Sequence, residues 1–373
     1  MRTLILYVIH PQDGNLKENH KYMLRELAEG DSFTVVIING SITDEGREYL
    51  FSKANEVIFR ANEGYDAGAY KDYFLHNYEI IRRDFKQCIL INDSFLGPLC
   101  PWETITEYMD MHAPMADFWG LSKWIAGYSE YVGKFLSEHI QSYFIFIRES
   151  LLKDNQFLTF WQGMNLTDTY CKAIENFEVR FTAFFSERGF TYTTWIENQS
   201  LQITIKEGDV IYLSHPDELI INYRFPVLKR KACTLENYQK MRNLFSCDVL
   251  DDAIKNTINK YYFECLASSL GYHINEMNVF VMNHKRVFIY GNGNYAHNVR
   301  CYLDDVKLIV EGHVTTSGED GVTIKYQNLQ CEENDGIIIA VNYKLVPEIM
   351  EMISNDWPEL DCFIVDRRQY HND

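Results

Sequence analysis

The first 92 residues alternate strand and helix signals, and this alternation leaves the chain few folds to choose from. RTLILYVIH (2–10), SFTVVIING (32–40), NEVIFRAN (55–62) and CILIND (88–93) are apolar, largely β-branched runs of strand length. Between them lie NLKENHKYMLRELAEG, TDEGREYLFSKA and YKDYFLHNYEIIRRDF, whose apolar residues recur at helical spacing. Gly30 is placed to stop the first helix, and Thr43 to cap the second. A β-α-β-α-β-α-β order predicts a doubly wound, largely parallel sheet in an α/β protein.

The remainder extends this reading. Residues 101–111 read as a helix, ADFWGLS (116–122) as a strand, and 122–138 as irregular. QSYFIFI (141–147) is a strand followed by a helix from about 148. Residues 172–188 form a helix ending at Gly189, and TYTTW (191–195) extends again. From 234 to about 270 the pattern is helical. KRVFIYGNGNYAHNVRCYL (285–303) then opens a second α/β unit, which GIIIAV, VPEIMEMI and CFIVD continue. Three parts are expected: a large α/β domain over 1–230, a helical connector over 231–283, and a small α/β domain over 284–373.

Charge narrows the partners. The 35 Lys and Arg against 53 Asp and Glu leave a net charge of −18. Phosphate-backbone binding needs a basic surface, so no nucleic-acid partner is expected. The basic run Lys229-Arg230-Lys231 reads as a solvated turn, its rival being a patch that meets anionic groups. No apolar stretch approaches the ~18 residues of a membrane span. The start MRTLILYVIHPQDG reads as a first strand and not as a leader. Nine scattered cysteines without a C-x-x-C pair suit reduced thiols in the cytoplasm and give zinc little support. Aromatics at 14% suit large cores and stacking on sugars or bases.

Four stretches of the first part are candidates for chemistry. In ANEGYDAGAY, residues Asn62, Gly64 and Asp66 fall between a strand and a helix. Glycines there let backbone approach a ligand, and the helix start favours anionic groups. In INDSFLGPL, residues Asn92, Asp93 and Ser94 follow a strand; they form a turn or a ligand site at the carboxyl end of an open sheet. A carboxylate there can hold a divalent cation. His139, Gln141 and Ser142 precede an apolar strand, where the bland reading of His139 is a loop or partly buried histidine with a satisfied ring. Glu178 stands at an expected helix start, either as a cap or as a general base.

The order NEGYDAGAY, ILINDSFLGPL, ADFWGL, HIQSYF and FEVRFTAFFSERGF resembles the rhamnan synthesis protein F family over roughly residues 1–230. Those proteins are bacterial glycosyltransferases of polysaccharide assembly. The layout is also similar to inverting glycosyltransferases of the GT-A type. In these, an acid pair opens a helix, and its second acid lies eleven residues before a Gly-aromatic stop. Glu178 and Gly189 show that spacing (189 − 178 = 11). The resemblance implies a GT-A-like mixed sheet and a nucleotide-sugar donor. Asn62, Gly64 and Asp66 would line the nucleotide pocket, and Asn92, Asp93 and Ser94 would face the diphosphate. Asp93 would meet any Mg²⁺ or Mn²⁺. His139 and Gln141 would lie near the sugar or acceptor, and Glu178 would be the base. A rhamnose donor, dTDP-rhamnose, is implied, with a glycan or lipid-linked saccharide as acceptor. The expected setting is the cytoplasm, in peripheral contact with the inner face of the cell membrane. Two residues depart from the pattern: Ser94 stands where a second carboxylate would complete D-x-D, and Phe177 replaces the first acid of the pair.

In the carboxyl-terminal part, Gly291-x-Gly293-x-x-Ala296 after a strand fits a dinucleotide fingerprint, with Glu311 as the ribose-binding acid. This gives a second reading, an NAD-dependent nucleotide-sugar oxidoreductase. At ~90 residues the part is short for a two-halved nucleotide domain. It resembles the small Rossmann-like units appended to sugar-processing enzymes, and a structural or interaction role is the stronger expectation. A third reading is a non-catalytic scaffold that binds a glycan or nucleotide sugar.

Overall fold

The computed structural model describes residues 2–365 apart from 12, 113, 130–131, 197–200, 204–209, 269–272 and 318–322. The chain forms two compact units, Met1–Lys229 and Arg230–Asp373. Each is described by itself.

In the first unit the expected alternation is present: β1 (Thr3–Ile9), α1 (Glu18–Glu29), β2 (Ser32–Asn39), α2 (Asp44–Lys53), β3 (Glu56–Arg60), α3 (Tyr65–Asp84) and β4 (Gln87–Asn92). Gly30 ends α1, and the Thr43 hydroxyl accepts from the Gly46 amide at 3.3 Å to cap α2. Helix α3 starts at Tyr65, five residues ahead of the apolar periodicity. Gly64 (φ +70°) turns the chain into it through the left-handed region, which residues with a Cβ disfavour.

Next come β5 (Phe95–Leu96), α4 (Trp102–His112) and β6 (Phe118–Gly120). The stretch expected to be irregular instead holds β7 (Lys123–Trp124), β8 (Gly127–Ser129) and β9 (Lys134–Leu136), and β10 (His139–Ile140) follows. These strands are two or three residues long, too short to show a period-two pattern. The unit continues with β11 (Phe144–Arg148), α5 (Glu149–Leu152), α6 (Asn155–Gln162), α7 (Tyr170–Ala173), α8 (Arg180–Ser186), β12 (Tyr192–Thr194), α9 (Ile211–Ser214), α10 (Pro216–Tyr223) and β13 (Leu228–Lys229).

The sheet runs β12-β6-β11-β4-β1-β2-β3. Strands β4, β1, β2 and β3 are mutually parallel, while β11 is antiparallel to both β4 and β6. This is a mixed α/β sheet with a parallel majority. One of its faces is covered by an aromatic core in which Phe74 meets Phe157 at 4.8 Å and Trp161 at 4.9 Å, and Phe181 meets Phe185 at 4.8 Å. Aromatic pairs of this kind stabilise beyond the area they bury.

The second unit takes in the helical stretch expected as a connector: α11 (Tyr238–Ser246), α12 (Asp252–Ser268) and α13 (Ile274–Asn283). It continues with β14 (Arg286–Tyr290), α14 (Asn294–Asp305), β15 (Gly312–Thr315), β16 (Ile324–Lys325), β17 (Asp335–Ile339), α15 (Val346–Asp356) and β18 (Asp361–Ile364). Its sheet is wholly parallel, in the order β16-β15-β14-β17-β18. Glu311 lies at the amino end of β15, its amide donating to the Val287 carbonyl at 2.8 Å. Gly291 follows the carboxyl end of β14. The acid is therefore about 13 Å down the sheet from the glycine loop, at ~3.3 Å per residue. Glu311 is not placed to hold a ribose.

Gly68 fixes the start of α3. A Cβ there would lie 2.0 Å from the Glu63 carbonyl oxygen, in backbone that must move to admit it. Gly68→Ala is expected to destabilise the chain by about 1–3 kcal/mol, as overpacking does. Urea unfolding followed by circular dichroism measures this; an unchanged midpoint would mean that the loop before α3 yields freely.

Candidate functional site

Parallel pairing brings the carboxyl ends of β1, β2 and β4 to one edge, where open sheets of this kind bind ligands. His10 follows β1, Asn39 ends β2, and Asn92, Asp93 and Ser94 end or follow β4. The triplet is more than a turn. Asn92 Nδ2 donates to Asp66 Oδ2 at 2.8 Å, while its Oδ1 accepts from the Ser94 hydroxyl at 2.5 Å and the Ser94 amide at 3.2 Å. Lys229 Nζ donates to Ser94 Oγ at 2.6 Å. One directed chain of hydrogen bonds thus runs Lys229→Ser94→Asn92→Asp66. In it, Asn92 orients Asp66.

Asp93 has its own supports. The His10 amide donates to Oδ2 at 2.9 Å, and His20 Nε2 stands 3.4 Å from the same oxygen. The tautomer of His20 follows from its other nitrogen: Nδ1 accepts from the Lys17 amide at 3.1 Å, so Nε2 carries the proton toward Asp93. Asn19 Nδ2 donates to the Asp93 carbonyl at 3.2 Å.

Asp66 sits in the first turn of α3, where the helix dipole favours a carboxylate. Arg60 braces this region, donating to Asn39 Oδ1 at 2.7 Å, and Asn39 in turn donates to the Tyr65 carbonyl at 3.0 Å. Burial raises the Asp66 pKa above the ordinary carboxylate value. The Asn92 hydrogen bond opposes this, and the charges of Glu178 and Asp93 reinforce it. Tyr70 is pushed well up, first by burial and then by Asp66 and Asp93. Three carboxylates therefore share one neighbourhood.

Glu178 does not stand at a helix start. The helical run begins with α7, and Glu178 lies inside a π-helical turn, Ile174–Val179, that joins α7 to α8. The cap reading falls with that placement. Such turns recur at functional sites because the extra residue re-aims a side chain. Glu178 Oε1 accepts from the Ser142 hydroxyl at 2.5 Å and from its amide at 3.3 Å. Its Oε2 lies 3.8 Å from His139 Nε2. His139 is 0% exposed, and its Nδ1 donates to the Ser137 carbonyl at 2.7 Å. That bond aims Nε2 at Glu178. Gln141 Oε1 accepts from the Tyr212 hydroxyl at 2.6 Å.

The structure thus brings Asp66, Asn92, Asp93, Ser94, His139 and Glu178 into one connected neighbourhood. Gly64 shapes the entry to α3, and Asn62 is exposed in the loop before it. The basic run is not a solvated turn at its first residue: Lys229 is 7% exposed. His10, Asn19 and His20 were not singled out from the sequence. His10 was legible as the residue after a strand. His20 and Asn19 gave no signal, because Lys17 opens α1 in place of a usual capping residue.

The donor set does not suit a resident Mg²⁺ or Mn²⁺. Among the described residues no three His, Cys, Asp or Glu come together as a metal group. The Oδ2 of Asp93 is engaged by His10 and His20, and an ammonium rather than a carboxylate adjoins Ser94.

An open mixed sheet whose strand ends gather Asp66, Asn92, Asp93 and Ser94 defines the class, an α/β protein with a parallel-dominated sheet. Residues 34–301 match the rhamnan synthesis protein F family, and the chain belongs to that family. A curated relative from Sinorhizobium fredii (strain NBRC 101917 / NGR234), described as uncharacterized protein y4gN, is 26% identical over 200 residues. The alignment covers 51% of this chain and 46% of the relative, so the chain spans about half the length of the curated relative it matches. Among solved structures, a cytidylyltransferase from Leptospira borgpetersenii aligns at 12% identity and a TM-score of 0.35, over 73% of this chain and 100% of that one. Mouse xyloside xylosyltransferase 1 aligns at 10% identity and a TM-score of 0.33, over 61% and 96%. Likeness of this degree carries no functional weight. Among the described residues no helix is long and apolar enough to cross a membrane.

The raised Asp66 pKa has a thermodynamic sign. A carboxyl whose folded pKa lies above its unfolded value costs stability at neutral pH, and the cost fades as pH falls through that window. Asp66→Asn is expected to raise the melting temperature at pH 7, with the gain shrinking toward pH 4. Paired thermal melts across that range check it; a pH-independent difference would contradict it.

Proposed function

We propose that this chain is an inverting glycosyltransferase that moves a sugar from a nucleotide-sugar donor to a glycan hydroxyl. The observation that carries the reading is Glu178. One of its oxygens is held by Ser142, while among the described residues the other makes no hydrogen bond and faces only a histidine ring. A carboxylate so held is suited to take a proton. Membership of the rhamnan synthesis protein F family supports the same reaction class.

The acceptor oxygen attacks the anomeric carbon as Glu178 takes its proton. The bond from that carbon to the phosphate oxygen breaks on the opposite face, and the nucleoside diphosphate leaves with the electron pair. Asn62, Gly64 and Asp66 line the nucleotide side. Asn92, Asp93 and Ser94 face the diphosphate, and His139 and Gln141 stand toward the sugar and acceptor. The family's name favours rhamnose, carried as dTDP-rhamnose, with a lipid-linked saccharide at the inner membrane face as acceptor.

Glu178→Gln is expected to lower transfer by at least ~100-fold, the scale of general-base loss, while donor affinity stays within about twofold. Product formation from labelled nucleotide sugars, beside calorimetric titration of the donor, reads both quantities. Full turnover in the variant would remove Glu178 from the chemistry. Asp93→Ala is expected to weaken donor binding by about tenfold, the loss of one charge-assisted hydrogen bond from a hydroxyl of the donor to the carboxylate. Unchanged affinity would make Asp93 a turn residue.

A further inference from the structure

We propose that Lys229 supplies the positive charge that the leaving diphosphate requires, in place of a divalent cation. This rests on the glycosyltransferase reading. Backbone pairing sets the position: β13 runs antiparallel to β5, with Lys229 opposite Phe95 and Leu228 opposite Leu96. The last strand of the first unit is thereby fastened beside the residue that follows Ser94. The side chain is buried, its Nζ lying 2.6 Å from Ser94 Oγ and 3.8 Å over the Tyr143 ring. The ammonium is thereby held at the strand end that carries Asp93 and Ser94.

Charge balance gives the cation its use. Asp66, Asp93 and Glu178 lie close enough for the latter two to act on the first. A diphosphate adds negative charge to that neighbourhood. A metal would answer it, but among the described residues no metal group forms, and an ammonium at hydrogen-bond distance from Ser94 repels a divalent ion beside Asp93. In the transfer step Lys229 keeps its proton. It donates a hydrogen bond to the phosphate oxygen that receives the electron pair of the broken bond, and the acceptor's proton goes to Glu178.

The test titrates the full chain with UDP, GDP and dTDP by calorimetry, each in EDTA and in Mg²⁺, for wild type, Lys229→Met and Lys229→Arg. Thermal melts run alongside. One nucleoside diphosphate is expected to bind wild type with the same affinity, within about twofold, in EDTA and in Mg²⁺. Lys229→Met is expected to weaken that binding by at least ~10-fold and Lys229→Arg to restore most of it, as for a charge-assisted contact. Binding that requires Mg²⁺ overturns the proposal and leaves the glycosyltransferase reading standing. So does a Lys229→Met protein that melts lower but binds as tightly as wild type, since that marks a strand-fastening role alone. Should Lys229→Met not fold, the wild-type chelator arm and Lys229→Arg decide by the same criteria. Failure of all three nucleotides to bind wild type overturns both readings.

Discussion

The backbone hydrogen bonds of β1, to β2 on one side and β4 on the other, set the register on which the candidate site depends. Val8 pairs with Asn92, and Ile9 with Ile38. Two loops therefore leave the sheet at the same height, and the His10 amide reaches Asp93. A slip of one residue would turn every side chain of β1 to the other face of the sheet and carry His10 away.

On that frame the chain assembles an electrostatic conflict. The charges of Glu178 and Asp93 bear on Asp66 in a partly buried space, and the hydrogen bonds from Asn92 and the Ala67 amide oppose them. A fold selected for stability alone would place amides or apolar residues there. Retained charge at a strand edge is how binding sites depart from the rules that the rest of a sequence obeys.

Much of the first unit was legible in the sequence, because strands of six to eight residues and helices of ten to twenty carry several periods of their own pattern. Thr43 and Gly30 were readable for the same local reason. Other features depend on neighbours distant in the chain. The short strands between 123 and 140 have no period to display. Lys229 looked like part of a solvated basic run because its burial is decided by β5, more than a hundred residues earlier. Glu178 was picked out by its spacing to Gly189, yet its surroundings were misread as a helix start. An α- and a π-helical turn have the same residue types, and only the hydrogen-bond ladder tells them apart. The likeness of GNGNYA to a dinucleotide loop was real at the level of strand, turn and helix, but Glu311 fell at the wrong end of its strand.

The π-helical turn has a consequence for how this protein can change over evolutionary time. Phe177, Phe181 and Phe185 are buried in the aromatic core, while Glu178 is held by Ser142 outside it. The turn takes up one residue more than an α-helical path and keeps the helices on either side of it in phase. Removing one residue from 174–179 would close it to an α-helix and leave α7 and α8 near their present setting. What would change is the direction of Glu178, which the widened turn holds against Ser142. A one-codon deletion here would therefore spare the aromatic core and still take the carboxylate from its partners.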